Sequence, residues 1–137
     1  MIVFEDVTKD YKGGNHALKH VNLRIRKGDF VFVLGHSGAG KSTFIKLILR
    51  EEQATSGRVL VDGLDLSVMK KRKVPYLRRR MGVVFQDFRL IPTMSVYENV
   101  AFAMRVTNIA EDKIKKRVPY VLGLVGLADK ADRLPDE

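Results

Sequence analysis

Three apolar patterns follow one another along this chain of 137 residues. In "IVFEDV" (2–7) and "LKHVNLRIR" (18–26), apolar and polar positions partly alternate, placing Val21, Leu23 and Ile25 on one face. That is the period of a strand with one covered face. "YKGGNH" between them is a cluster of turn formers, and "KGD" makes a second turn. The pattern then changes, because "FVFVL" (30–34) and "MGVVFQ" (81–86) are apolar almost without interruption, which predicts strands buried on both faces. "RVLVDG" (58–63) predicts a short strand closed by Asp-Gly.

The third pattern is helical. "STFIKLILREE" places Phe44, Leu47 and Ile48 on one helical face and runs to about "QATSG". "PYLRRR" opens a helical turn with Pro75 at its start. Two further helices are predicted at 95–106 and roughly 111–126, each with an acidic residue near its beginning. Strands and helices alternate, so the fold class is α/β.

Composition narrows the function. A chain of this length, 45% hydrophobic and 8% aromatic, can build one compact α/β core. With 25 Lys and Arg against 16 Asp and Glu, the formal charge is +9, so phosphate ligands, nucleic acid and an acidic membrane surface come into view as partners. There is no cysteine, which excludes disulfides and thiolate metal sites and suits a reducing compartment. No apolar run is long enough to span a bilayer, and "MIVFEDVTKDYK" lacks the charge and apolar core of a signal peptide. The expectation is a cytoplasmic protein whose membrane attachment, if any, comes from another subunit. His16, His20 and His36 show no metal-like spacing or companion carboxylates.

The candidate chemistry lies directly after the first continuous apolar run. Gly35, His36, Ser37, Gly38, Ala39, Gly40, Lys41 and Ser42 fill every position of the pattern G-x-x-x-x-G-K-[ST], between a predicted strand and a predicted helix. Glycines at 35, 38 and 40 permit positive φ, so successive N–H groups can turn inward around phosphate oxygens. The following helix N-terminus adds partial positive charge. Lys41 reaches the β- and γ-phosphates, the Ser42 hydroxyl can ligate Mg²⁺, and Thr43 lies near the phosphates. Such a loop serves kinases, GTPases and transport ATPases alike.

Residues outside the loop carry a resemblance. Tyr11 precedes Lys41 by 30 residues in a turn after the first strand, "TSGRVLVDG" follows the loop's helix, and Gln86 ends "GVVFQ". Together they resemble the nucleotide-binding domain of ABC ATPases along the whole chain. The resemblance implies a P-loop NTPase core with a small antiparallel β subdomain over 1–92 and part of a helical subdomain over 93–137. It implies ATP and Mg²⁺ as ligands, Tyr11 stacked on adenine, and Gln86 at Mg²⁺ and the attacking water. For Tyr11 the plainer alternative is an aromatic covering the edge of the sheet; for Gln86 it is a solvated strand end. "AGKSTFIKLILREE" and "PYLRRRMGVVFQDFRLIPTMSVYENVAFAMRV" resemble the cell-division branch of the family. That implies a homodimer on the cytoplasmic face, joined through residues 86–104 to an integral membrane partner and activating cell-wall hydrolases. Phe88, Arg89, Leu90, Ile91, Pro92 and Met94 would then receive a short helix of that partner.

The family pattern continues with an L-S-G-G signature, a strand ending in Asp and catalytic Glu, and a switch His, none of which follows "LPDE". The chain is therefore expected to be a truncated ABC domain that binds ATP without hydrolysing it. The continuous apolar strands would lack neighbours, so exposed edges, oligomers or marginal stability are expected. "KKRKVPYLRRR" (70–80) holds seven basic residues in eleven, read either as attachment to anionic lipid or as a solvated helix face. No helix-turn-helix or RNA-binding aromatic signature accompanies the charge, so nucleic acid is not the expected partner. The absence of an N-K-x-D motif disfavours a GTPase. The alternative function is a non-catalytic, nucleotide-gated module that docks a membrane partner.

Overall fold

The computed structural model describes residues 1–137, which form two compact units, Met1–Gly82 and Val83–Glu137, each described by itself. The first is built on a four-stranded antiparallel sheet in the order β2-β1-β3-β4, where β1 is Ile2–Tyr11, β2 Asn15–Ile25, β3 Ser56–Val61 and β4 Leu64–Asp65. The alternating segments form strands as predicted. β1 is an inner strand, with Ile2 opposite both Ile25 of β2 and Val61 of β3. Asp62-Gly63 makes the tight turn into β4, with positive φ at both residues.

Helix α1 (Lys41–Ile48) lies against one face of this sheet. Phe4 of β1 and Phe44 of α1 stack with ring centroids 4.8 Å apart, and Val7, Leu47, Ile48, Val59, Val61, Leu66 and Leu77 close the core around them. Val21, Leu23 and Ile25 pack against it from β2. α1 ends earlier than its apolar pattern predicts. Arg50 turns left-handed (φ 56°), and the amides of Arg50 and Glu51 reach back to the carbonyls of Leu47 and Lys46. This is a Schellman closure, with arginine in place of the usual glycine. A short helix, α2 (Val74–Arg78, Pro75 in its first turn), then returns to cap it. The Arg78 guanidinium donates to the carbonyls of Leu49 (2.9 Å) and Arg50 (3.3 Å).

The two continuous apolar segments correct the prediction. Residues 30–34 and 81–85 join no sheet, and Phe30, Leu34 and Val84 are 85%, 86% and 91% exposed. A strand covered on both faces needs neighbouring strands for its N–H and C=O groups as well as layers above and below. The sheet of this chain is completed by β2 and β4 and offers 30–34 no neighbour. The expected exposure of apolar residues is present instead.

The second unit is helical. Helix α3 (Val96–Val106) starts at Ser95, whose hydroxyl accepts the Glu98 amide at 3.2 Å, as expected of an N-cap. Helix α4 (Glu111–Leu124) turns Ile114, Val118 and Leu122 inward against Ala101, Val100 and Met104. Arg105 joins the helices by pairing with Glu98 and, at 2.9 Å, with Glu111. The carbonyls of Ala131 and Arg133 accept the amides of Tyr97 and Val96 and so cap the first turn of α3.

Candidate nucleotide-binding site

The loop over 35–40 has the backbone its glycines allow. Gly35, Gly38 and Gly40 have φ of 155°, 81° and 83°. Gly40 permits nothing else, since a Cβ there would lie 2.3 Å from the Ala17 carbonyl oxygen. It is also the N-cap of α1 and has no side chain to bond the first-turn amides, which are left to whatever lies before the helix. Lys41 folds back over the loop, donating to the carbonyls of Gly35 (2.6 Å) and His36 (2.7 Å). His36 therefore contributes its backbone, and Ala39 closes the turn by donating to the same carbonyl at 3.2 Å.

Three further residues meet this loop. Ser42 is exposed on the first turn of α1, whereas Thr43 is buried. The Tyr11 hydroxyl lies 3.3 Å from Thr43 Oγ1, so the last residue of β1 reaches the helix that begins the loop's far side. Residues 32 apart in sequence are thereby brought together. The Tyr11 ring also carries the Lys9 ammonium 4.8 Å from its centroid.

Gln86 belongs to the second unit, where it is exposed and opens the turn over 86–89. Phe88 and Arg89 both have positive φ, and the Arg89 guanidinium lies 3.7 Å from the Phe85 ring centroid. Phe88 and Leu90 are exposed, while Ile91 and Met94 are half-buried. The residue organising this stretch is Asn99, which the sequence reading missed. Its side chain accepts the Ile91 amide (2.8 Å) and donates to the carbonyls of Ile91, Met94 and Ser95. An Asn inside a strongly helical pattern, four residues past a Ser N-cap, was the available signal.

Other readings change. Arg78 caps α1, Arg80 pairs with Asp62 at 3.0 Å and the Arg79 guanidinium lies 5.3 Å from the Tyr76 ring centroid, so three of the seven basic residues of the run are engaged within the fold. His16 and His20 do have carboxylate companions, Asp10 (2.7 Å) and Asp6 (2.8 Å), because the β1–β2 hairpin sets them opposite. No group of three or more His, Cys, Asp or Glu gathers to hold a metal. The bond from Ser67 and the α-ammonium of Met1 hold Asp65 and Asp62, respectively, below the usual carboxylate range. Burial lowers Arg50, whose Nε donates to the Leu66 carbonyl.

The ABC transporter family model matches residues 18–137, from within β2 to the end of the chain. This chain belongs to the ABC transporter family. The cell division ATP-binding protein FtsE of Bacillus subtilis strain 168 is 50% identical over 137 residues, which cover all of this chain and 60% of that protein. The FtsE of Escherichia coli K12 is 44% identical over 135 residues, 98% of this chain and 61% of that protein. The ATP-binding cassette MJ0796, solved as a dimer in a post-hydrolysis state with ADP and Pi, superposes with a TM-score of 0.87 at 33% identity, covering 99% of this chain and 62% of that one. CbiO1 of Clostridium perfringens gives 0.83 at 32% identity. The ABC-type α/β fold expected from the sequence is therefore the fold of this chain, which spans about three fifths of the length of these relatives.

Proposed function

We propose that this chain is the nucleotide-holding part of an ATP-binding subunit in a cell-division complex. The observation that carries the proposal is the loop over 35–40: three positive-φ glycines, an uncapped helix start and a lysine folded over them, in a chain 50% identical to an FtsE. The backbone of residues 35–43 would cradle the phosphates of ATP. Lys41 would exchange its two carbonyl partners for the β- and γ-oxygens, a charge-assisted and therefore stronger pairing. Mg²⁺, when bound with ATP, offsets the charge gathering on the phosphates during transfer. Its protein ligand in the first unit would be the Ser42 hydroxyl, with further positions left to phosphate and water. Tyr11 would lie against the adenine.

Hydrolysis is assigned to the assembly. The 137 residues contain no L-S-G-G run, so a second set of donors for the γ-phosphate has to come from elsewhere. We infer that this chain alone binds Mg-ATP and does not turn it over. In the complete protein, a homodimer would act on an FtsX-like integral membrane partner seated on residues 86–104. Activation of peptidoglycan hydrolases at the cytoplasmic membrane would be the outcome. The exposed Phe88 and Leu90, on a segment fixed by Asn99, favour that docking surface. An anionic membrane would meet the basic run over 70–80, whose seven Lys and Arg are all exposed.

Calorimetry with Mg-ATP tests the central claim: Lys41→Ala is expected to abolish binding, and binding undiminished in that variant would overturn it. Steady phosphate release by this chain, lost in Lys41→Ala, would overturn the claim of inactivity. Vesicle binding that survives Lys→Glu changes at 70, 71 and 73 would remove the lipid contact.

A further inference from the structure

The Tyr11 ring is held at one face and at its hydroxyl, and only the hydroxyl contact is made with the helix that follows the loop. Lys9, two residues earlier on the same face of β1, sets its ammonium over the ring at 4.8 Å from the centroid. That ammonium is paired with Glu52 Oε2 at 2.8 Å, and the Lys9 side chain is only 12% exposed. Glu52 reaches it because the connection from α1 to β3 is pinned to the end of β1. Thr55 donates its amide to the Thr8 carbonyl (2.8 Å), and the Asp10 amide donates to Thr55 Oγ1 (2.9 Å). The hydroxyl contact with Thr43 fixes the far end of the ring. A desolvated ammonium over an aromatic face is a stronger contact than a solvated one, and here it cannot drift, because a carboxylate holds it.

We propose that Lys9, anchored by Glu52, is a positioning residue for the base of the bound nucleotide. This rests on the reading of Tyr11 as the base platform. Lys9 covers one face of the ring, so a purine has to stack on the opposite face. Because the ring is already oriented, binding does not have to immobilise it. The cation draws on the ring's electron density from behind, which suits stacking of an electron-rich base in front. Lys9 and Glu52 lie outside residues 35–43, so the device is expected to act on the base alone and its removal to leave the loop's affinity for phosphate intact.

The test compares Mg-ATP with Mg-tripolyphosphate, which carries the phosphates and no base, by calorimetry on the chain and on Lys9→Met, Lys9→Arg, Glu52→Gln and Lys41→Ala. Lys9→Met is expected to weaken ATP about three- to tenfold while tripolyphosphate changes less than about twofold. Glu52→Gln should move ATP in the same direction by less, and Lys9→Arg should restore it, since a guanidinium also sits well on a ring. An equal loss for both ligands would mean that Lys9 merely supports the fold, and unchanged ATP binding would mean that it does nothing for the base; either overturns the inference. A wild-type chain that binds both ligands equally overturns Tyr11 as the platform and this inference with it, leaving the phosphate loop standing. Binding of neither ligand overturns both readings, whereas loss of both only in Lys41→Ala upholds the first independently of Lys9. Should Lys9→Met fail to fold, Glu52→Gln and Lys9→Arg decide.

Discussion

Strand β1 and the segment 30–34 are both rich in large apolar side chains, yet their fates differ. β1 buries Phe4 and Val7 almost completely between β2, β3 and α1, whereas Phe30, Phe32 and Leu34 stand in solvent. The side chains do not explain this, because 30–34 is the more apolar of the two. β1 has strands on both edges and a helix on one face; 30–34 has no strand at either edge. Apolar side chains create a demand for cover, but the cover has to be supplied by other chain, with its own hydrogen bonds.

The largest effects expected follow from that contrast. Phe4→Ala opens a cavity under Phe44 and should cost about 3–5 kcal/mol, while Phe32→Ala should stay within about 0.5 kcal/mol, both read by urea denaturation. Comparable losses at the two sites would show that 30–34 is covered in solution. If it is not, the chain should associate with rising concentration, and Phe32→Lys should reduce that association in sedimentation experiments.

Next comes Gly40, where sheet and loop meet. Gly40→Ala forces a Cβ onto the Ala17 carbonyl of β2, at a cost of about 1–2 kcal/mol for the left-handed backbone alone. Nucleotide binding should disappear together with this loss; calorimetry and thermal melting would separate a binding defect from a folding defect. Asn99→Ala leaves the Ile91 amide and three carbonyls without their partner, and should cost about 1–3 kcal/mol. Amide exchange at residues 91–95 should accelerate while β1 stays protected, since Asn99 serves the second unit.

The smallest effect is with pH. Asp62, Asp65 and Glu111 are all held below their ordinary range, by the Met1 ammonium, the Ser67 hydroxyl and Arg105, respectively. Carboxyls lowered by folding add stability that is complete above their unfolded values near ~4 and fades as pH falls through the folded ones. Melting temperature should therefore be flat from neutral pH down to about 5 and fall below about 4. Glu111→Gln should flatten the part of that fall that comes from the second unit.

Much of the site was readable because its chemistry is local. Eight consecutive residues, 35–42, state their own requirement: glycines where φ must be positive, a lysine to meet phosphate and a hydroxyl beside it. The residues missed act across the fold. Lys9 is an ordinary surface-type residue until the α1–β3 connection brings Glu52 beside it, and Arg78 looks like part of a basic run until α2 returns to cap α1. Their roles are set by partners 43 and 29 residues away, and no local pattern encodes such a pairing.

The sequence by itself determined the strands of alternating pattern, the four helices and the phosphate loop. Each follows from a short-range rule: a period, a cap, a fixed spacing of glycines and lysine. Tertiary structure alone decided that 30–34 and 81–85 stay unpaired, that α1 stops at Ile48, and that Tyr11 bonds to Thr43 under the Lys9 ammonium. Pairing and burial depend on which distant residues arrive at a place, and the chain's local chemistry does not specify that arrival.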